Sequence, residues 1–458
     1  MWVEFRSPYS DLERRTFIFF TPIRMRAVPP ENRNDNWGGI SGSASFKAYP
    51  SLNYFKGELS SQDEFDNAIV FFKDGVEQGF LETYAHELGH ALGLTHIFEY
   101  GELFESYQGY TDNLMDYDYT TSNAISKFKN RKNNVCNLAI AVIKNKKIVA
   151  LDSANGCAKP SKQDTESIFQ AASLSKPVFA YVVMKLVDEG KLELDAPLTQ
   201  YLAQGYRHQH DPLKKQPYDL VTDPRLQMIT ARMVLNHTSG LPNWASGPLK
   251  FNATPGEKWM YSGEGFILLQ RAVENVTGMP LDQVMKDKVF NRLGMVHSSF
   301  VWNTDIEKKL LIGTKSNAQP RNIIKLTEPV SAFSLYTTAE DYGKFLEAVL
   351  NDAKLLQAIT QSTVMVEPKL NLSWGLGWGV EKNQKNTYIW HWGNNPGYRS
   401  FVFASVQTGD GFVFLTNSEN GLYLAQPITD MILPDQHKCV YAFSNCNQSL
   451  SHIFNAYN

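Results

Sequence analysis

Residues 170–177 read QAASLSKP, and this stretch decides how the second part of the 458-residue chain is expected to fold and react. Ser173 and Lys176 are three residues apart, so on a helix their side chains lie on one face. Pro177 is tolerated only in the first turn of a helix, so a helix through Val178–Glu189 must start near Ser173. The unsatisfied N–H groups of a helix start favour a developing oxyanion. A desolvated lysine can accept the serine proton, so the stretch predicts a serine nucleophile with a lysine base.

Spacing alone does not identify such a site, because residues 126–129, SKFK, repeat the serine–lysine spacing in a polar stretch. An isolated pair of this kind is more often a helix cap beside a solvated lysine. Pro177 distinguishes the two copies, since only the copy at Ser173 is followed by a proline. Two further short motifs follow in chain order: Tyr261-Ser262-Gly263 and His391-Trp392-Gly393.

The order of these three motifs resembles the serine β-lactamase and penicillin-binding-protein superfamily, and within it the class C-like branch of esterases and D-amino acid peptidases. The resemblance covers residues 136–425 and includes four flanking stretches: 235–242, 255–259, 293–295 and 375–378. It implies an α/β fold in which an antiparallel sheet is flanked by helices and carries a helical subdomain.

The resemblance also implies roles for single residues. Tyr261 is expected to share the general-base role with Lys176, and a nearby ammonium is expected to lower the phenol pKa. The strand that carries His391 and Gly393 is expected to line the pocket. The backbone N–H groups of Ser173 and Asn394 would form the oxyanion hole.

Two positions depart from the pattern of that superfamily. The second motif often ends in asparagine, which binds a substrate amide, and here it ends in Gly263. The third often begins with lysine, which holds a β-lactam carboxylate, and here it begins with His391. An imidazole is only partly charged near neutral pH, so it anchors a carboxylate less well. Both departures favour an esterase or D-peptidase over an efficient β-lactamase.

A histidine cluster lies before residue 100, where residues 86–96 read HELGHALGLTH. His86 and His90 are four residues apart and share one face of a helix, so they can share a metal ion. Gly93 permits the turn that ends the helix and lets His96 supply a third ligand. Three imidazoles suit Zn²⁺ and leave a fourth position for water, whose proton Glu87 can accept.

This cluster resembles the complete zinc motif of the metzincin endopeptidases, and the alternative is a surface helix that carries three histidines by chance. Met115 lies in NLMDY at residues 113–117 and resembles the Met-turn of that clan; Tyr117 occupies the position of a tyrosine that reaches the metal or the oxyanion. The resemblance implies an α+β zinc domain. Only 85 residues precede the motif, so the domain is expected to be truncated.

Composition and charge set limits on the remaining classes of protein. Apolar residues make up 43% and charged residues 20%, which is ordinary globular usage. Lys plus Arg total 44 and Asp plus Glu total 47, so the net charge of −3 argues against nucleic-acid binding. No apolar run approaches the roughly 18 residues that span a bilayer. A soluble protein without a membrane span is expected.

The polar stretch Thr120–Asn134 places a domain boundary near residue 130. The expected organisation is a zinc domain at residues 1–130, a serine hydrolase domain at 131–435 and a tail at 436–458. The following strands are expected: Thr16–Phe20, Asn67–Lys73, Leu138–Ile143, Lys147–Asp152, Tyr388–His391, Phe401–Val406 and Gly411–Asn417. The expected helices are Glu82–Leu92, Val178–Glu189 and Phe266–Val276, and a loop is expected at Asn32–Ser45. This order predicts a sheet whose strands come from both ends of the second domain.

Three further groups of residues, histidines, tryptophans and cysteines, support less specific predictions. His208 and His210 lie in a polar stretch, where a solvated loop is favoured over a metal site. Four tryptophans near the third motif are interpreted as core or pocket residues: Trp374, Trp378, Trp390 and Trp392. Four cysteines allow two local disulfides, with Cys136 and Cys157 beside the predicted hairpin and Cys439 and Cys446 in the tail.

Together these patterns predict a serine hydrolase that acts on an ester, amide or peptide through an acyl-enzyme, without a cofactor, fused to a zinc metallopeptidase-like domain. One alternative is a penicillin-binding or sensor module that is acylated without turnover, with a relic zinc domain. Another is an artificial join of two neighbouring genes. Both families usually act outside the cytoplasm, whereas no signal peptide is visible after Met1, so the compartment and the oligomeric state are left open.

Overall fold

The structure is a computed structural model of the chain. It describes residues 134–157, 161–164, 166–383, 386–435 and 437, together with the backbone of four strands before residue 73. The chain divides into two compact units, Met1–Phe128 and Lys129–Asn458.

The described part of the first unit is a four-stranded sheet with the strand order β1-β2-β4-β3. Its strands are β1 (Trp2–Arg6), β2 (Arg15–Thr21), β3 (Gly39–Ser41) and β4 (Asn67–Phe72). Strands β2 and β4 are parallel, and the other two pairs are antiparallel. The strands predicted at Thr16–Phe20 and Asn67–Lys73 correspond to β2 and β4. The loop prediction for Asn32–Ser45 is wrong at β3, which pairs with β4. The predicted helix Glu82–Leu92 lies outside the described residues.

The second unit is built on an eight-stranded antiparallel sheet with the strand order β11-β12-β13-β14-β15-β16-β5-β6. Its strands are β5 (Asn137–Lys144), β6 (Lys147–Asn155), β11 (Val364–Glu367), β12 (Leu372–Trp374), β13 (Gly379–Lys382), β14 (Thr387–Asn395), β15 (Tyr398–Ser405) and β16 (Gly411–Thr416). Two short ribbons accompany it: β7 (Phe169–Gln170) with β10 (Tyr336–Thr337), and β8 (Arg207–Gln209) with β9 (Tyr218–Leu220). Because β16 pairs with β5, strands from both ends of the domain meet in one sheet, as predicted.

Most helices lie between the early hairpin and the late strands, and one more follows the last strand. They are α1 (Ser175–Asp188), α2 (Ala231–Leu235), α3 (Gly263–Thr277), α4 (Leu281–Met285), α5 (Asn291–Leu293), α6 (Thr304–Lys309), α7 (Ala339–Asn351), α8 (Ala353–Gln361) and α9 (Ala425–Ile432). The helix predicted at Phe266–Val276 begins three residues earlier, because the Ser262 side chain caps α3 by accepting a hydrogen bond from the N–H of Gly265. None of the helices in the described residues is long and apolar enough to cross a bilayer.

The central strands are covered on both faces. All six residues of β16 are buried, and so are seven of the eight in β15. Val402 and Val413 belong to the main hydrophobic core with residues of α1, α3 and α7. On the other face of the two strands, Phe401 and Phe412 pack with neighbouring phenylalanines. A sheet covered on both sides explains the continuous apolar runs of its sequence.

A disulfide joins Cys136 and Cys157, at the two ends of the first hairpin of the second unit. This is one of the two local pairs allowed by the sequence. Cys439 and Cys446 lie outside the described residues. His437 is the last described residue, and it is buried with its Nε2 2.7 Å from the carbonyl oxygen of Leu433.

Candidate active site

Ser173 lies in a 3₁₀ turn, Ala172–Leu174, which leads directly into α1. Ala172 has φ +51°, a left-handed conformation that an alanine adopts only under strain, and such strain is concentrated at functional sites. Gly393 of β14 packs against this turn: a Cβ at position 393 would lie 2.4 Å from the carbonyl oxygen of Ala171. A side chain at that position would therefore push the strand away from the turn that carries Ser173.

Lys176 lies in the first turn of α1 and is fully buried. Its Nζ donates to the Oγ of Ser173 at 3.1 Å and to the carbonyl oxygen of Ala332 at 2.8 Å. Burial lowers the pKa of Lys176 well below its usual value, because the charged ammonium loses its hydration. The shift favours the neutral amine, which is the form that accepts a proton from a serine hydroxyl.

Tyr261 directly precedes the cap of α3, and its ring centroid lies 4.7 Å from the Nζ of Lys176. Burial raises the pKa of Tyr261, and the neighbouring Ser173 offsets this only in part. The expected lowering of the phenol pKa is therefore wrong, because desolvation outweighs the opposing hydrogen bond to Ser173. The phenol oxygen is buried near Ser173, and among the described residues it has no hydrogen-bond partner of normal geometry.

His237 is a buried neighbour of Tyr261 to which the sequence motifs assign no role. Its ring centroid lies 4.3 Å from that of Tyr261. Its carbonyl accepts a hydrogen bond from the N–H of Met260 at 2.7 Å, and its Nδ1 accepts one from the N–H of Ser262 at 3.1 Å. His237 thus holds the backbone on both sides of Tyr261. Burial, and then the charge of Lys176, lower the pKa of His237, so it acts as a neutral imidazole.

The third motif lies on β14, but its first residue does not line the cavity. His391 is fully buried and is absent from the lining of that cavity, and its Nδ1 donates to the carbonyl oxygen of Trp392 at 2.8 Å. Burial, and then the charge of Lys176, lower the pKa of His391 to about 3. An uncharged imidazole inside the protein does not anchor a carboxylate. Asn394, the predicted partner of Ser173 in the oxyanion hole, does line the cavity.

Gly263, the unusual last residue of the second motif, is explained by Trp244. A Cβ at position 263 would lie 2.6 Å from the Cη2 of the Trp244 ring and 2.9 Å from the carbonyl oxygen of Asn243. The N–H of Gly263 donates to that carbonyl at 3.1 Å. The space that an asparagine side chain would need is therefore filled by Trp244, whose ring also packs edge-on against Phe333.

The candidate active site opens to a cavity of about 710 Å³. Ser173, Tyr261 and Asn394 line it together with Trp392, one of the four tryptophans noted in the sequence. Trp374, Trp378 and Trp390 are fully buried and belong to the interior. A cavity of this size with a few convergent polar groups suits a small or medium-sized organic substrate.

The walls of the cavity carry charges of both signs. Arg399 donates through Nη1 to the carbonyl oxygens of Asn395 and Tyr398, and burial lowers its pKa to about 10, so it stays charged at neutral pH. Arg321 forms an ion pair with Glu419 on the same side. Glu264 supplies a buried carboxylate, and its Oε1 accepts a hydrogen bond from the N–H of Ala245 at 2.9 Å.

His208 and His210 do not lie in a solvated loop, so that prediction is wrong. His208 is fully buried in β8, and His210 follows the strand and lines the cavity. Pairing of β8 with β9 places Asp219 opposite His208, and a nitrogen of each histidine lies within hydrogen-bonding distance of the Asp219 carboxylate.

The predicted zinc motif lies outside the described residues. This applies to its four main residues, His86, Glu87, His90 and His96, and to the supporting residues Met115 and Tyr117.

Two family models match the chain. The beta-lactamase model matches residues 123–428, and the model described as pregnancy-associated plasma protein-A, a peptidase family, matches residues 34–157. The first match contains the whole candidate active site. The second contains the complete histidine cluster and supports the metzincin resemblance and the zinc that it implies.

Curated relatives and solved structures agree with the first match. Penicillin-binding protein 4* of Bacillus subtilis is 24% identical over 306 residues, 58% of this chain and 64% of that protein. Esterase EstB of Burkholderia gladioli is 30% identical over 175 residues, 31% of this chain and 40% of that protein. A class C beta-lactamase structure superimposes with a TM-score of 0.55 at 18% identity, covering 69% of this chain and 99% of that one. The match spans less than two thirds of the length of the first curated relatives.

Proposed function

Since the chain belongs to the beta-lactamase family, we propose that it hydrolyses an ester or amide through an acyl-enzyme formed on Ser173. One observation carries this proposal: the Nζ of the fully buried Lys176 donates to the Oγ of Ser173 at 3.1 Å. Burial of an amine costs free energy, and here it places a base beside a hydroxyl that opens to a cavity. A cap beside a solvated lysine, the alternative interpretation, is not compatible with that burial.

The proposed acylation step begins with transfer of the hydroxyl proton of Ser173 to the neutral amine of Lys176. The serine oxygen then forms a bond to the substrate carbonyl carbon, and the carbonyl oxygen takes up negative charge. The backbone N–H groups of Ser173 and Asn394 are proposed to stabilise that charge. Collapse of the intermediate breaks the bond to the leaving group, which takes the proton that Lys176 received, either directly or through the phenol of Tyr261, so that the amine is neutral again.

Deacylation repeats this sequence with water as the nucleophile. Water loses a proton to Lys176, attacks the acyl carbon and releases the acid, while the Oγ of Ser173 regains its proton. Tyr261 faces the serine with a raised pKa, so it is a proton donor at neutral pH and its role complements that of the amine. Nothing in this sequence of steps needs a metal or an organic cofactor.

The two departures from the family pattern support an ester or D-peptide-like substrate over a β-lactam. Trp244 occupies the space of a second-motif asparagine, and the buried His391 gives no cationic anchor where the family often has lysine. Esterase EstB is among the relatives, which supports small esters as the first substrates to test.

The test is hydrolysis of p-nitrophenyl acetate by the full chain and by two variants. Ser173→Ala should lower kcat/KM by on the order of 10⁴-fold, since it removes the nucleophile. Ser246→Ala is the matched control, because Ser246 is an exposed serine of the same cavity, and it should keep full activity. If Ser173→Ala retains more than about a tenth of the activity, the assignment fails. A burst of one product equivalent without turnover would instead indicate the sensor alternative.

We also propose that the first unit is a metzincin-like α+β zinc peptidase domain. The peptidase-family match over residues 34–157 and the motif at residues 86–96 support this. The donor set fits the metal: His86, His90 and His96 offer three imidazoles, and zinc bound there would activate a water molecule. Glu87 would accept the proton of that water. His90→Ala should lose zinc and Glu87→Gln should retain it, and equal metal contents in the two variants would refute the assignment.

A further inference from the structure

A second histidine cluster lies beside the active-site cavity, in residues that the proposed hydrolysis does not use. His208 and His210 are two residues apart around the end of β8, and side chains at this spacing point to one face of a strand. In the antiparallel ribbon of β8 and β9, Asp219 is the direct cross-strand partner of His208. The fold therefore brings the two imidazoles and a carboxylate together, although residues 211–218 separate them in the chain.

The three side chains converge on one point. The Nδ1 of His208 lies 2.9 Å from the Oδ1 of Asp219, and the Nε2 of His210 lies 3.1 Å from the same oxygen. One ligand atom from each residue lies within 4.8 Å of the others. This is the set of distances that ligands around one first-row transition-metal ion span, when metal–ligand bonds are about 2.0–2.2 Å long. His208 is fully buried, and the other two side chains are about one fifth exposed, which leaves a path for an ion.

The other nitrogen of His208 has its own carboxylate. Its Nε2 lies 3.2 Å from the Oε2 of Glu264, and both atoms are buried without a hydrogen bond of normal geometry to another described residue. Histidines that bind a metal through one nitrogen commonly donate the other N–H to a carboxylate, which fixes the ring and its tautomer. Glu264 stands in that position relative to His208.

Charge gives a second, independent argument. Asp219 and Glu264 are two carboxylates that flank a fully buried imidazole, and no lysine or arginine forms an ion pair with either one in the described part of the chain. A divalent cation at this point would balance the charges of the two carboxylates that flank the buried imidazole.

We propose that His208, His210 and Asp219 bind a divalent transition-metal ion, of which Zn²⁺ is the best match, at the edge of the active-site cavity. Two imidazoles with one carboxylate form a ligand set that zinc accepts, and they leave a fourth position for water or a donor atom of a substrate. This site is separate in sequence from the motif at residues 86–96 and does not depend on it.

The ion would hold one wall of the cavity in place. His210 lines the cavity, and so does Glu264, which contacts His208 through Oε2 and the N–H of Ala245 through Oε1. The metal, His208 and Glu264 would then connect the β8–β9 ribbon to the segment that carries Trp244. These residues position the cavity wall, and none of them takes part in proton transfer at Ser173.

The test is a zinc measurement on the full chain after incubation with excess zinc and removal of free metal. Four proteins are compared: the parent, His210→Ala, His90→Ala and the double variant. His210→Ala should lower the zinc content by about one equivalent, whether or not His90 is present, because two ligands alone form a poor site. His297→Ala is the matched control: His297 is also a half-buried histidine beside carboxylates, Asp305 and Glu166, but it has no second histidine beside it. It should leave the zinc content unchanged.

Binding of Co²⁺ to the His90→Ala protein distinguishes the loss of a metal ligand from a folding defect, because the metal spectrum and the fold are measured separately. The visible d–d absorption of Co²⁺ in a site of low coordination number should appear in His90→Ala and disappear in His90→Ala/His210→Ala, with unchanged far-ultraviolet circular dichroism in both. Asp219→Asn, which preserves volume, should weaken cobalt binding. The proposal is overturned if His210→Ala carries as much zinc as the parent, or if the cobalt spectrum survives without His210.

Discussion

The Nζ of Lys176 lies 4.7 Å from the ring centroid of Tyr261, and burial shifts the pKa values of these two neighbours in opposite directions. The pKa of the lysine falls, and that of the tyrosine rises. Both shifts favour the uncharged form, because burial disfavours charge whatever its sign. At rest the site therefore favours a neutral amine as the base and a neutral phenol as the acid.

The first prediction concerns the pH dependence of kcat/KM. Activity requires the unprotonated amine, so it should rise with pH through the lowered pKa of Lys176 and reach a plateau well below 10.5, the usual lysine value. Lys176→Arg should be inactive at every pH, because a guanidinium stays protonated. The measurement is the pH–rate profile for p-nitrophenyl acetate.

The matched comparison for that profile is Tyr261→Phe. If the amine is the base, this variant keeps the acid limb at the same pH and only lowers the plateau. Should the acid limb move or vanish when the phenol is removed, the tyrosine would be the base, and the assignment of Lys176 would be wrong.

The second prediction distinguishes the contribution of the Tyr261 hydroxyl to kcat from its contribution to the stability of the fold. Among the described residues this buried oxygen has no hydrogen-bond partner of normal geometry. Tyr261→Phe should therefore leave the thermal midpoint unchanged or raise it, since an unsatisfied polar atom is removed. The kcat should fall by roughly 10²–10⁴-fold, the usual contribution of a positioned proton donor. A lowered midpoint with unchanged kcat would show the opposite division of roles.

Ser173, Lys176 and Tyr261 could be singled out from the sequence as candidate site residues, because each lies in a short local motif whose spacing has a physical meaning. The β5–β6 hairpin was predictable for the same reason, since its alternating strands surround a short turn. The side of β14 on which His391 lies was not predictable, because a strand buried on both faces has no polar alternation to show which side meets the cavity.

The role of His237 and the pairing of His208 with Asp219 depend on contacts between distant positions. His237 and Tyr261 are 24 residues apart and meet because the intervening chain folds back, as the bond from the N–H of Ser262 shows. The polar residues around His208 suggested solvent, whereas the β8–β9 ribbon packs that imidazole against Glu264. Local composition carries no information about such packing.

The third prediction tests why the second motif ends in glycine. Gly263→Asn should destabilise the protein by about 1–3 kcal/mol and reduce activity, because the new side chain overlaps the Trp244 ring. Trp244→Ala removes that ring, and the indole is about two fifths exposed, so the single variant should fold. The double variant should recover part of the stability lost by Gly263→Asn, because the close contact with the backbone oxygen of Asn243 remains. Additive losses in urea unfolding would contradict the overlap.

The fourth prediction concerns the disulfide between Cys136 and Cys157, which closes a loop with a sequence separation of 21. In the chain-entropy account, a crosslink of that length stabilises the folded state by about 3 kcal/mol. The double variant Cys136→Ala/Cys157→Ala should lose that amount in urea unfolding of the second unit. The reductant dithiothreitol should lower the stability of the parent and leave that of the double variant unchanged. Equal sensitivity of both proteins would show that this bond contributes nothing.

The intact mass of the full chain after treatment with a fluorophosphonate, which phosphonylates activated serines, tests most sharply whether Ser173 is the nucleophile. We expect one adduct per chain in the parent and in Ser246→Ala, and none in Ser173→Ala, with peptide mapping that places the adduct on residues 170–177. Lys176→Arg should react far more slowly, since its serine lacks a base. A parent that takes up no adduct, or a Ser173→Ala variant that is labelled as fast as the parent, would contradict the account.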